Sequence, residues 1–123
     1  MKFRNFSYDE FDSPLQEGSG QLVSDELISL LDHARDLAGV PFKITSGYRV
    51  EADIYRLKKA GYKVSAKSSH LKGLAADIAC DNSTRYNILD SLMKVGFNRI
   101  GIGSTFIHVD IDPDKPPFSI WTY

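Results

Sequence analysis

One aspartate set in an otherwise apolar strand constrains this chain more than any other feature. From Leu74 to Cys80 the sequence Leu-Ala-Ala-Asp-Ile-Ala-Cys reads as a short strand of small and apolar residues interrupted only by Asp77. A carboxylate buried there is costly unless it is paired, hydrogen-bonded or bound to a metal, so the fold has to bring it a partner. One of the chain's three histidines, His70, lies just upstream in the polar stretch Ser68-Ser69-His70. Another lies in Phe106-Ile107-His108-Val109-Asp110-Ile111, where a period of two sends Ile107, Val109 and Ile111 to one face and Phe106, His108 and Asp110 to the other. The apolar face belongs to the core. His108 and Asp110 therefore point together at the opposite side of the sheet, where a cleft would have to lie.

Two imidazoles and one carboxylate match a catalytic zinc set, with three protein ligands and a fourth position left for water. His70, Asp77 and His108 are the candidate ligands. Spacing alone leaves alternatives open, since a loop hydrogen bond equally explains His70 and Asp77, and His-x-Asp on a strand also describes a surface pair. Ser46-Gly47-Tyr48-Arg49 reads as a strand-to-helix turn. Arg49 there is either solvated or a clamp for a substrate carboxylate or oxyanion, because a guanidinium donates in one plane to two oxygens.

The surrounding pattern is α+β. Ser24 as N-cap, Asp25 and Glu26 in the first turn, and Leu27, Leu30, Leu31, Ala34, Leu37 and Ala38 at helical spacing predict a helix ending at Gly39. His33 lies on its polar side and is left out of the site. A short strand is expected over 41–45, a helix over 50–60, a strand over 74–80, and a helix over 83–95 with Tyr86, Leu89, Leu92 and Met93 on one face. Two strands then follow, at 99–103 and 106–111, joined by a tight turn. Aromatic residues Phe3, Phe6, Tyr8 and Phe11 mark an irregular N-terminal arm over 1–21 that packs on the domain. Beyond the proline-stiffened exit 112–117, the segment Phe118–Tyr123 folds back over the sheet or adds an edge strand. With 123 residues and no linker or repeat, the whole chain reads as a single domain, expected to be a monomer.

Charge and cysteine content narrow the function classes. Fifteen Lys+Arg against 16 Asp+Glu, a net charge of −1, leave no basic excess for nucleic acid. The single Cys80 cannot form an internal disulfide and reads as a small buried filler. The first ten residues contain no long apolar run and turn acidic early, so neither a signal peptide nor a membrane anchor is expected, and the protein would be made in the cytoplasm.

Taken together, Ser46-Gly47-Tyr48-Arg49, the pattern Ser-x-His-x-x-Gly-x-Ala-x-Asp filled by Ser68, His70, Gly73, Ala75 and Asp77, and the strand carrying His108 resemble the zinc peptidases of the D-alanyl-D-alanine carboxypeptidase and phage endolysin type, peptidase family M15. The resemblance runs from about Phe6 to Asp110. It implies a compact α+β domain built on an antiparallel sheet with helices on one side, one zinc ion held by His70, Asp77 and His108, and hydrolysis of a peptide bond in bacterial peptidoglycan. It also gives Arg49 the role of steadying the substrate carbonyl or carboxylate, and Ser68 a hydrogen-bonding role near the site. Gly73 and Ala75 match as small residues that let loop and strand close around the metal. The wider group often carries a Glu or Asp three residues before the last zinc histidine, or a His two before it. Here Thr105 and Phe106 stand in those places, which leaves Asp110 as the candidate general base or, equally, a partner steadying a ligand. Lys67 and Lys72 flank the motif, either as solvated lysines or as groups holding a terminal carboxylate. The same fold resembles the signalling domain of hedgehog proteins, so a zinc-stabilised binding module of weak catalytic power is the alternative. A phage or bacterial origin, with action on the cell wall, is the corresponding expectation.

Overall fold

The computed structural model describes residues 2–123; Met1, the first residue of the expected arm, lies outside them. Three helices, α1 (Asp25–Ala38), α2 (Glu51–Lys59) and α3 (Arg85–Lys94), alternate with five strands, β1 (Ile44–Ser46), β2 (Ala75–Ala79), β3 (Arg99–Ile102), β4 (Phe106–Asp110) and β5 (Ser119–Thr122). The strands form one sheet in the order β1-β2-β4-β3-β5. At its centre β2 and β4 run antiparallel, with Asp77 opposite His108 and Ile78 opposite Ile107. The antiparallel expectation holds for β1 with β2, β2 with β4, and β3 with β4, but β5 runs parallel to β3. Chain direction explains the exception. β4 finishes beside the start of β3, the proline-rich exit turns the chain at that same end, and β5 therefore begins against Arg99 and follows β3.

The period-two pattern separates the faces as expected. Ala76, Ile78, Ile100, Ile107 and Val109 all enter the core, where they meet Leu27, Ile28, Leu31 and Ala34 of α1 and Ile88 and Leu92 of α3. α1 starts where Ser24 Oγ accepts the Leu27 N–H at 3.3 Å and ends at Gly39. In α3 the buried face differs from the expected one, because Tyr86 and Met93 are exposed while Ile88, Ser91 and Leu92 are buried. Ile88 and Leu92, four apart, stack one turn above the other and set the rotation that packs α3 on α1. α2 borders the other face of the sheet, where Asp53, Arg56 and Leu57 help to line a cleft. No described helix is long and apolar enough to cross a membrane.

The arm is more regular than its turn-rich sequence suggests. It forms two short 3-10 helices, Tyr8–Phe11 and Ser19–Leu22, and buries Phe3, Phe6 and Phe11 in the core. It also holds the turn before α2, since Phe11 O accepts the Tyr48 N–H at 2.8 Å and Ser13 Oγ donates to Asp53 at 2.6 Å. The Asp53 carboxylate, fully buried, accepts from the Val50 N–H and from Arg56 as well. Burial pushes its pKa up, but these hydrogen bonds outweigh burial and hold it below the ordinary carboxylate value. A depressed folded pKa contributes stability above the unfolded value near 4, and that stability is lost as pH falls through the folded value. Asp53→Asn is expected to lower unfolding free energy by about 1–3 kcal/mol at pH 7. In urea titrations at several pH values its deficit against wild type should shrink below about pH 4. A deficit independent of pH would mean that Asp53 acts through shape alone.

Candidate metal centre and active-site cleft

Two turns are zipped together to build one wall of the site. The Arg49 N–H donates to the His70 carbonyl at 3.2 Å, and the His70 Nδ1–H donates back to the Gly47 carbonyl at 2.8 Å. A carbonyl can only accept, so the proton is on Nδ1 and the Nε2 lone pair of His70 is left facing Asp77, 3.3 Å from its Oδ1. Ser68 Oγ accepts the His70 N–H at 3.3 Å and caps the 3-10 turn Ser69–Lys72. Its role is thus to hold the turn that carries His70. Gly73 closes that turn with φ +71°, and a Cβ there would lie 2.2 Å from Leu22 O, so the motif glycine makes room for the end of the N-terminal arm. Ala75 is fully buried opposite Asp110.

The sheet supplies the rest. Asp77 and His108 face each other across β2 and β4, with His108 Nδ1 2.8 Å from Asp77 Oδ1, and the two imidazole rings meet edge to face at 5.2 Å. Ligand atoms of His70, Asp77 and His108 all lie within 4.8 Å of one another, and all three residues are buried. The second Asp77 oxygen accepts from Arg49 Nη2 at 3.3 Å, while Arg49 Nε donates to Ser46 Oγ at 2.8 Å. Burial works to raise the Asp77 pKa, but its interactions with the two histidines, the His108 hydrogen bond among them, prevail and hold it far below the ordinary value. Burial lowers that of His70. This donor set, one buried carboxylate between two imidazoles with fixed outer nitrogens, fits a zinc ion in chemistry and convergence.

Asp110 has no oxygen free. Its Oδ2 sits 2.8 Å from His108 Nε2, and its Oδ1 accepts from Arg99 Nε at 2.6 Å and from the Asp112 N–H at 3.2 Å. Burial pushes its pKa up, yet hydrogen bonds from His108 and Arg99 bring it down to about 2. A carboxylate with both oxygens so engaged is placed to orient His108. The expectation of a base at this position meets this physical objection.

The site opens into a cleft of about 920 Å³ bordered by Arg49, Ser68 and Arg56 on one side and by Arg99, Trp121 and Tyr123 on the other. Thr105 and Phe106 also line it. Lys72 is drawn away, bound to Asp112 at 3.1 Å and Asp114 at 3.0 Å, and Lys67 is exposed outside the cleft lining. His33 is exposed on α1, and Cys80 is half-buried against the core. Sequence reading missed Arg99, Asp112, Trp121 and Tyr123. Asp112 continues the alternation His108-x-Asp110-x-Asp112 and binds Ser69 Oγ at 2.7 Å, a signal the pattern already carried. Arg99 was likewise legible as the residue alternating with core Ile100. Trp121 and Tyr123 carried no such signal, because their position depends on the parallel pairing of β5.

A family model described as Peptidase M15 matches residues 4–112. No curated protein sequence matches the chain. Among solved structures, the fold is similar to that of the Serratia marcescens L-Ala D-Glu endopeptidase ChiX, with a TM-score of 0.63 and 19% identity over 75% of this chain and 82% of that one.

Proposed function

Since this chain belongs to the peptidase M15 family, we propose that it is a zinc metallopeptidase that hydrolyses a peptide bond in the stem peptides of bacterial peptidoglycan. The observation that carries this reading is the buried His70, Asp77 and His108 set at the floor of an open cleft, with Arg49 beside it. His70 Nε2, an Asp77 oxygen and His108 Nδ1 are the atoms that would hold the ion. When bound, zinc supplies Lewis-acid polarisation of the scissile carbonyl and activation of a water molecule.

The chain's own residues do the positioning. Gly47 O and Asp110 fix the outer nitrogens of the two histidines, so both inner nitrogens keep their direction whether or not a ligand is present. Arg49, held by Ser46 and Asp77, presents its remaining donors to the cleft and would hold a carbonyl or carboxylate oxygen of the peptide. The structural neighbour is named for cleavage of L-Ala-D-Glu, which makes that bond, alongside D-Ala-D-Ala, the one to assay first.

The test joins metal analysis and hydrolysis. Wild type and His70→Ala are purified, their zinc is measured, and each is incubated with purified peptidoglycan while new amino termini and free D-Ala are counted. One zinc per chain with zinc-dependent release in wild type, and neither in His70→Ala, is the expected result. Zinc without release from any wall peptide would turn the reading to a binding module, and no zinc would overturn the site.

A further inference from the structure

The family match ends at residue 112, yet the strand beyond it builds one wall of the cleft. β5 lies along β3 with Trp121 opposite Gly101, and Gly101 is itself opposite His108 on β4. Paired residues share a face and alternate residues return to it, so Trp121 and Tyr123 stand on the same side of the sheet as His108. A Cβ at Gly101 would lie 2.6 Å from Trp121 Nε1 and 2.8 Å from Tyr123 Cε2. The bare backbone at Gly101 is what lets both rings cross β3. Trp121 comes to 5.7 Å from the His108 ring, and Tyr123 packs on Phe106 at 4.9 Å.

Tyr123 differs from a core aromatic in remaining 69% exposed on the cleft. Burial of part of its ring end raises the phenol pKa above the ordinary value, against the opposing effect of the Trp121 indole N–H that donates to its oxygen, and the charges that reach it are those of Asp77, Arg49 and Asp110. Such a phenol keeps its proton through the neutral range and acts as a donor. Arg49 follows β1 at one edge of the sheet and Tyr123 follows β5 at the other, so the two approach the metal set from opposite sides.

We propose that Tyr123 is a catalytic residue whose phenolic O–H donates a hydrogen bond to the oxygen of the scissile carbonyl, across the cleft from Arg49. The inference rests on the peptidase reading above. No bond to Tyr123 forms or breaks; the hydrogen bond strengthens as water adds and negative charge builds on that oxygen, which makes it an interaction of the transition state.

Tyr123→Phe removes the donor and keeps the ring on Phe106 and Gly101. Losing one such donor typically lowers kcat by about 10²–10³-fold. The expected result for Tyr123→Phe is a fall in kcat of about 100-fold on soluble muropeptides from bacterial peptidoglycan, with KM changed by less than about threefold. Zinc content and the midpoint of urea unfolding should match wild type. Gly101→Ala, which pushes both rings aside, should alter the emission of Trp121, the only tryptophan, and lower kcat while leaving zinc in place. An unchanged kcat in Tyr123→Phe, with an active wild type, would overturn the role of Tyr123 and leave the peptidase reading standing. A lower kcat accompanied by lost zinc or a lowered unfolding midpoint would also overturn it, since the residue would then be structural. A zinc-loaded wild type that cleaves no muropeptide would overturn both.

Discussion

Asp77→Asn is expected to remove metal binding and hydrolysis together, and to destabilise the metal-free protein as well. Asp77 is the only anionic member of the candidate ligand set, and its two oxygens serve His70 and His108 on one side and Arg49 on the other. Asparagine retains the size of the side chain, but its amide nitrogen cannot accept from a guanidinium and its oxygen is a poor zinc ligand. Zinc affinity should fall by more than the roughly 10–100-fold that follows loss of an outer partner. Removing one member of a buried charge pair typically costs about 3–5 kcal/mol, and Arg49, only 15% exposed in its side chain, would be left without its carboxylate. Urea unfolding of both proteins stripped with a chelator isolates this effect from metal loss. A variant that binds zinc as wild type does would remove Asp77 from the site.

Asp110→Ala separates orientation from proton transfer. The change leaves Arg99, which donates to the Asp110 carboxylate, to the Pro116 carbonyl, and stacks on Trp121 at 5.0 Å, without its anion. A loss of about 3–5 kcal/mol is expected. The His108 ring would also lose the acceptor that fixes Nε2, with an expected fall in zinc affinity of about 10–100-fold. Asp110→Asn, which keeps an acceptor oxygen, should recover part of both. The contrary outcome is specific: zinc affinity equal to wild type with hydrolysis down by about 10²–10⁴-fold in Asp110→Asn would make Asp110 the general base.

Much of this site could be read before folding because its information is local. Asp77 among alanines and isoleucine demands a partner whatever the fold, and alternation along Phe106–Ile111 assigns His108 to the face away from the core. The α1 stripe and its caps are equally local. What escaped the sequence depends on contacts between distant segments. The rotation of α3 is not legible locally, because Tyr86 and Met93 share the helical spacing of a packed face, and only the contact with α1 decides which residues pack. Whether Asp110 serves as a base or steadies a ligand is not legible locally, because the strand pairing that sets Arg99 against it joins separate segments.

The amino-acid sequence by itself determined which residues were candidates to be brought together: a carboxylate that cannot be buried alone, a histidine just upstream of it, and a histidine on the strand face turned from the core. Tertiary structure alone decided how they are used. The register of β2 on β4 sets Asp77 against His108, the zipped turns aim His70, and the parallel return of β5 over Gly101 delivers Trp121 and Tyr123 to the cleft. Burial costs are written residue by residue, whereas strand register and direction arise only when the whole sheet closes.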